Sequence, residues 1–306
     1  MLPKSGSYAP TALLGLKKVE HAFHEALQST FGCLNWLPLA DGSIHRFQVP
    51  GDRAGTLNGW YVLFTDGLAS GCFGSWKTGK SHTWNSREPA NWLEVEQVRQ
   101  HIKQATRQRE AEQGRRQRIA ADYANRLWRD ARRADPRSTY LIAKGCSPYN
   151  LRQQDDVLLV PLYHGGVLVN LQRISPNGQK RFLFGGRVKG CYSPLGIITA
   201  GTPLYLCEGW ATGATLHNET GHPVACAMNA GNLLEAGRYL QSRHPDAVLI
   251  VAGDDDRQTD GNPGKTAAIK AAATLGCGLI LPPWPSGSPL ALTDFNDLRQ
   301  WLAANV

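Results

Sequence analysis

Three consecutive aspartates, Asp254, Asp255 and Asp256, close the apolar run "AVLIVAGDDD". A glutamate, Glu208, closes a second apolar run, "PLYLCEG". Side chains alternate along an extended chain, so Asp254 and Asp256 share a face while Asp255 points elsewhere as a bystander. A further acidic turn, "TDFNDL", offers Asp294 and Asp297. Carboxylates gathered at one crevice repel each other and resist ionisation. A divalent cation removes that cost. Mg2+ (or Mn2+) suits such a set, because magnesium takes a few carboxylates, keeps waters and shares substrate phosphates. The plainer reading of any one acid is a helix cap, since a helix N-terminus favours a carboxylate. A Glu and an Asp-x-Asp on two strand ends favour metal, with Glu208, Asp254 and Asp256 as the central ligands.

A second phosphate motif is a decoy. Gly264-Lys265-Thr266 has the ending of a Walker A loop, which requires Gly, four residues, then Gly-Lys-Thr. The position for the first glycine holds Thr259, and Gly261 is too close. An ATPase P-loop is therefore rejected. Gly264 reads as a turn admitting the next helix, and Lys265 stands either against a phosphate at that helix start or in solvent. A basic cluster precedes the acids: Arg173, Lys180, Arg181, Arg187 and Lys189 in "QRISPNGQKRFLFGGRVKG". It is either a phosphate-contacting surface or a charged hairpin edge that discourages sheet association. Lys189 fits the second reading better.

The elements that must position these residues follow from periodicity. From about residue 201 strands alternate with helices: "PLYLCEG", "HPVACAMN", "AVLIVAGDDD" and "GLILPPW" with "WATGATLHNETG", "LLEAGRYLQSRHP", "GKTAAIKAAATLG" and "TDFNDLRQWLAAN". That order implies right-handed crossovers and a mostly parallel sheet, with ligands beyond its carboxyl strand ends. Ahead of it, "DVLLVPLY" and "VLVNLQRI" flank His164-Gly165-Gly166 as a hairpin. Residues 94 to about 135 read as one arginine-rich helix with an apolar stripe of Ala120, Ala124, Leu127, Trp128 and Ala131. Residues 1–93 combine a helical start with short strands broken at Asn58-Gly59, Asp66-Gly67 and Thr78-Gly79, hence a small antiparallel sheet. Its aromatics Trp60, Tyr61, Phe73, Trp76 and Trp84 read as core before base-stacking surface. The expected organisation is an N-terminal α+β module for template or partner binding at 1–93, a basic helical linker at 94–136, a basic subdomain at 137–200 and an α/β domain at 201–306.

Composition narrows the classes. The 306 residues are 42% hydrophobic with a net charge of +8, enough for cores and a lean toward polyanionic partners. No apolar run approaches a membrane span, and "MLPKSGSYAP" lacks a leader's apolar core. The seven cysteines are scattered, several in apolar runs, which suggests reduced thiols and a cytoplasmic setting. Zinc is not expected: there is no Cys-x-x-Cys pair, and Cys33, His45, Cys72 and His82 fit no usual spacing.

Glu-Gly at a strand end, then Asp-x-Asp with a downstream Gly and Ala-Ala, resembles the TOPRIM domain. "CEGWATGATL", "AMNAGNL" and "AGDDDRQTDGNPGKTAA" are similar to the version in primases of phages, plasmids and integrative elements. "YLIAKGC" and the hairpin region resemble the subdomain preceding TOPRIM there, and "HRFQVPGDRAGTLNGWYVLFTDGLASGCFGSWKTG" their N-terminal module. The resemblance implies a DNA primase: a nucleotidyltransferase making short RNA primers on single-stranded DNA from ribonucleoside triphosphates, with a replicative helicase as a further partner. It implies Glu208, Asp254 and Asp256 as metal-binding acids, Asp294 and Asp297 as additional ones, and Arg173, Lys180 and Arg181 foremost among nucleic-acid or nucleotide contacts. Three departures stand out. Thr212 occupies the place where replicative primases carry another Asp, "RQTDGNP" lengthens the loop after Asp256, and the zinc-ribbon cysteine pairs are missing. The chain reads as a stand-alone primase or a fragment of a longer one. Two other classes share the motif: a TOPRIM nuclease, and a non-catalytic single-strand-binding accessory. The upstream basic subdomain favours the primase.

Overall fold

The computed structural model describes residues 10–305. The opening stretch "MLPKSGSYAP" lies almost wholly outside them. Two compact units, Met1–Gly114 and Arg115–Val306, divide the chain.

In the first unit, helix α1 (Pro10–Phe31) precedes an antiparallel sheet of β1 (His45–Phe47), β2 (Gly59–Phe64), β3 (Ser70–Ser75) and β4 (Ser81–Asn85), in that order. Strand alternation builds two cores. Phe47, Tyr61, Leu63 and Phe73 meet Phe23 and Leu27 of α1. Trp60, Val62, Phe64 and Cys72 meet Ala105 and Ile102 on the first part of α2 (Trp92–Asp130). The sheet's aromatics are thus largely core, with Trp60, Tyr61 and Phe73 buried. The expected turn at Asn58-Gly59 is not there. Gly59 opens β2, and a Cβ on it would stand 2.5 Å from the Phe47 ring, so this glycine permits a close approach. The turn falls earlier, at Ala54-Gly55.

In the second unit, the remainder of α2 buries Ala124 and Leu127 against Leu159, Leu168 and Leu171, as its apolar stripe requires. The helix ends at Asp130, short of the expected 135, because Arg132–Arg133 (β5) pairs with Arg152–Gln154 (β6) instead. After helix α3 (Thr139–Lys144) an antiparallel sheet forms in the order β5-β6-β7-β8-β9, where β7 (Val157–His164) and β8 (Val167–Ile174) make the expected hairpin and β9 (Lys180–Phe182) closes the edge.

The second sheet has the order β10-β12-β11-β13-β14: Ser193–Leu195, Val224–Cys226, Pro203–Cys207, Val248–Ala252 and Gly278–Ile280. All its pairings are parallel except that of β10 with β12. Helices α4 (Trp210–Thr220), α5 (Leu233–Arg243) and α6 (Pro263–Leu275) make the crossovers, and α7 (Phe295–Ala304) follows β14. Alternation again assigns the faces. Leu204 and Leu206 of β11 pack with α5 and α6, while Cys207 packs with Trp210, Ala211 and Ala214 of α4. No helix among the described residues is long and apolar enough to cross a membrane.

Gly213 on α4 lies so close to β11 and β12 that an added Cβ would sit 2.3 Å from Cys226 Sγ and 3.1 Å from Cys207 Sγ. A helical Gly→Ala change ordinarily stabilises by about 1 kcal/mol. Here overpacking reverses the sign, at a cost of about 1–3 kcal/mol. Gly213→Ala is expected to lower the thermal unfolding midpoint by circular dichroism; a raised midpoint would show that the interface is loose.

Candidate active site

The carboxyl ends of β11 and β13 are adjacent in the sheet, with Cys207 in register with Ala252. Glu208 and Asp254 therefore leave neighbouring strands at the same rim. Glu208 is fixed on its backbone side by Met228 N–H, which donates to its carbonyl at 2.7 Å. Met228 itself takes a left-handed φ of 71°, unusual for a residue with a side chain. Just beyond that bend, the Ala230 N–H donates to the Glu208 carboxylate. Burial and the nearby Asp256 charge hold Glu208 above the usual carboxylate range.

Asp254 is the most constrained of the acids. Its Oδ1 is buried and has no hydrogen-bond donor. Burial first, then the charges of Asp294, Glu208 and Asp256, push its pKa up to about 8, against the opposing charge of Lys180. Asp256 accepts from Gly264 N–H at 2.9 Å at the start of α6. Gly264 is not the expected turn. It sits inside the helix, and a Cβ there would lie 2.7 Å from Asp256 Oδ2 and 3.1 Å from Asp254 Cβ. Its lack of a side chain lets the helix start press against both acids; the left-handed residues are Gly261 and Asn262 before it.

Asp294 combines both roles weighed for it. It caps α7, accepting from Asp297 N–H at 2.8 Å, and its charge acts on Asp254 and Glu208. Thr212, at the position of the absent accessory acid, donates its hydroxyl to Asp294 Oδ2 at 3.1 Å. Asp297 is engaged otherwise, with Thr293 N–H at 3.1 Å and Lys144 Nζ at 3.3 Å. Asp255 points away from this group, toward Trp284 and Asn262. Lys265, in the first turn of α6 and partly exposed, lies 3.7 Å from Asp255.

The basic cluster is split by strand alternation. Lys180 is in register with Ile174 and Leu158, which lie in the core shared with α3 and α4. Its ammonium lies 5.9 Å from the Tyr140 ring centre and close enough to act on Glu208 and Asp254. Arg173 and Arg181 face each other across β8 and β9 on the opposite face, in register with Leu159. Arg187 Nε donates to the Lys189 carbonyl at 3.1 Å, and Lys189 pairs with Glu235 at 3.9 Å. Two further residues join the surroundings of the site without having been singled out: Lys144, and the fully buried Asn296, whose amide donates to Lys144 O at 2.7 Å and Thr215 Oγ1 at 2.9 Å. Lys144 lies in "YLIAKGC", legible only as resemblance, and Asn296 lies between the two acids of "TDFNDL", where nothing marks an amide as a contact.

The donor set fits a hard divalent cation. Among the described residues, no three acids, histidines or cysteines are close enough to enclose an ion unaided. The charges of Glu208, Asp254, Asp256 and Asp294 act on one another, and an ion that keeps water and phosphate oxygens in its shell needs only some of them as ligands. The partnerless Asp254 oxygen is the acceptor such an ion would satisfy.

Residues 203–303 match the Toprim domain family. This region is a Toprim domain. The chain is homologous over most of its length to DNA primase TraC of Escherichia coli. One such protein is 33% identical over 290 residues, 88% of this chain and 27% of that protein. A second, also named DNA primase TraC from Escherichia coli, is 32% identical over 257 residues, 80% of this chain and 18% of that protein. The chain thus spans about a quarter or less of the curated relatives it matches. A solved structure of the Aquifex aeolicus primase, comprising its zinc-binding and RNA polymerase domains, aligns over 95% of this chain and 84% of that chain, with 13% identity and a TM-score of 0.40.

The Asp254 environment in this Toprim domain has a pH signature. An acid whose folded pKa is raised from 3.8 to about 8 gives stability that is complete below the lower value and lost as pH rises through the upper one. Metal-free protein is therefore expected to unfold at lower temperature at pH 8 than at pH 6. Asp254→Asn should flatten most of that slope and exceed the wild type at pH 8, by an amount on the order of a few kcal/mol. Magnesium should restore the wild type more at pH 8 than at pH 6. Thermal unfolding in chelator and in magnesium checks this; identical pH profiles for the two proteins would remove Asp254 as the strained group.

Proposed function

We propose that this chain carries the catalytic core of a DNA primase, which joins ribonucleoside triphosphates into short RNA primers on single-stranded DNA. The observation that carries the reading is the cluster of Glu208, Asp254, Asp256 and Asp294 around one partnerless Asp254 oxygen, with Lys180 of the neighbouring antiparallel sheet reaching toward it. The homology to primases named TraC supports the same reading.

A divalent cation bound there, Mg2+ or Mn2+, would neutralise phosphate oxygens, favour ionisation of an attacking 3′-hydroxyl and steady the pyrophosphate leaving group. The chain's own groups divide the remaining work. Glu208 and Asp256 each accept a backbone N–H, from Ala230 and Gly264, and are thereby oriented. Asp254 has no donor on its inner oxygen and must release its proton before it can act as a ligand. Lys180, exposed at the rim, is placed to meet the incoming triphosphate. Arg173 and Arg181, on the other face of the sheet, and Arg187 hold nucleic-acid backbone outside the crevice. The setting is cytoplasmic, and a replicative helicase is the expected partner.

With single-stranded templates, labelled nucleotides and magnesium or manganese, Asp254→Ala and Asp256→Ala are each expected to abolish primer synthesis while keeping the fold. Lys180→Ala should lower it by about 10- to 100-fold, the worth of a charged hydrogen bond, and Arg181→Ala by less. Synthesis at wild-type level by both aspartate variants would overturn the mechanism. Shortening of the DNA without incorporation would make the chain a nuclease with the same acids.

A further inference from the structure

The middle aspartate of the triplet is unaccounted for by the reaction, yet it is only 7% exposed. Burying a carboxylate is costly unless it is paired and hydrogen-bonded. Asp255 is both. Its Oδ2 accepts from Trp284 Nε1 at 3.0 Å, and its Oδ1 from Asn262 Nδ2 at 2.7 Å, with Lys265 Nζ at 3.7 Å. Its own N–H donates to the Thr293 carbonyl at 2.7 Å.

Two of these partners, Trp284 and Thr293, lie on the segment joining β14 to α7, "LPPWPSGSPLALT", which has neither helix nor strand. Its four prolines interrupt the run of backbone donors, so a regular sheet ladder does not form along it. Contacts to the triplet and to Arg257 after it help to hold its place. Besides the two bonds from Asp255, Arg257 lies over the Trp284 ring at 4.3 Å and donates to the Pro289 carbonyl at 2.7 Å. The residue after Thr293 is Asp294.

We propose that Asp255 is a positioning residue: it fastens the β14–α7 segment to the end of β13 and thereby holds Asp294 against Asp254. The proposal rests on the reading of the crevice as a cation site. A carboxylate is required because every group facing it donates. Asn262 cannot turn round to accommodate an amide, since its Oδ1 already accepts Asp256 N–H at 2.8 Å and caps α6. Asn at position 255 would set one donor against another. The same contact with Asn262 orders the long loop after Asp256, so the middle aspartate secures both flanks of the Asp-x-Asp pair.

The test uses the full chain and two readouts that need no turnover. In hydrogen–deuterium exchange, Asp255→Asn should speed exchange of residues 284–294 while leaving 248–252 unchanged, and Trp284→Phe should do the same to a smaller degree. In manganese titrations followed by electron paramagnetic resonance, Asp255→Asn should weaken binding by about 10- to 100-fold, as loss of a supporting hydrogen bond does. It should add nothing further on an Asp294→Asn background. Unchanged exchange at 284–294 in both variants would overturn the fastening. Equal weakening with and without Asp294 would overturn its route through that residue. Exchange requires no ion, so it decides the fastening even if the wild type binds no manganese; that last result would count against the cation site and the route through it.

Discussion

Like charge gathered at the end of a buried strand is the constraint on which the site depends. Asp254 sits where β13 leaves the sheet, facing Glu208 from β11 and Asp294 from the start of α7, with one oxygen shut off from any donor. Such an arrangement destabilises the folded chain at neutral pH. It persists because everything around it is fixed independently: two apolar cores bracket the sheet, and backbone N–H groups hold the outer acids. The strain stays in the carboxylates, where a proton or a cation relieves it. In the proposed function, the affinity of this group for a divalent ion would therefore rise with pH.

The antiparallel sheet of the second unit supplies the opposite charge. Its hairpin shares a core with α4 of the Toprim domain, so Leu158, Val160 and Ile174 pack with Trp210 and Ala214. That packing fixes which face of β9 looks toward the acids, and hence that Lys180, not Arg181, acts on them. The link is tightened by Asn296 and Arg299 of α7, which donate to the Lys144 carbonyl at 2.7 and 2.9 Å. Positive and negative halves of the site are therefore joined by buried contacts instead of a hinge.

Much of this was legible in the sequence, for identifiable reasons. Glu208 and Asp254 could be placed because apolar runs mark parallel strands and acids at their ends mark the rim. The helix–strand alternation read correctly throughout the Toprim region, and so did the hairpin and the small antiparallel sheet. Asn58-Gly59 misled because a dipeptide preference is local, whereas the Phe47 ring that needs the glycine comes from another strand. Gly264 misled in the same way, its neighbour being Asp256 across a loop. The work of Asp255 was invisible because Trp284 and Thr293 sit in a segment with no periodicity. The division of Lys180 from Arg173 and Arg181 could have been read from alternation alone, once β8 and β9 were set in register.

In the proposed mechanism a proton and a divalent ion compete for Asp254. Calorimetric titration of Mn2+ into the full chain, in two buffers of different ionisation enthalpy, counts the protons released per ion bound. With Asp254 held at about 8, the account expects close to one proton at pH 7 and almost none at pH 9.5. Binding at pH 7 without proton release would mean that Asp254 is already ionised, and the account would fail.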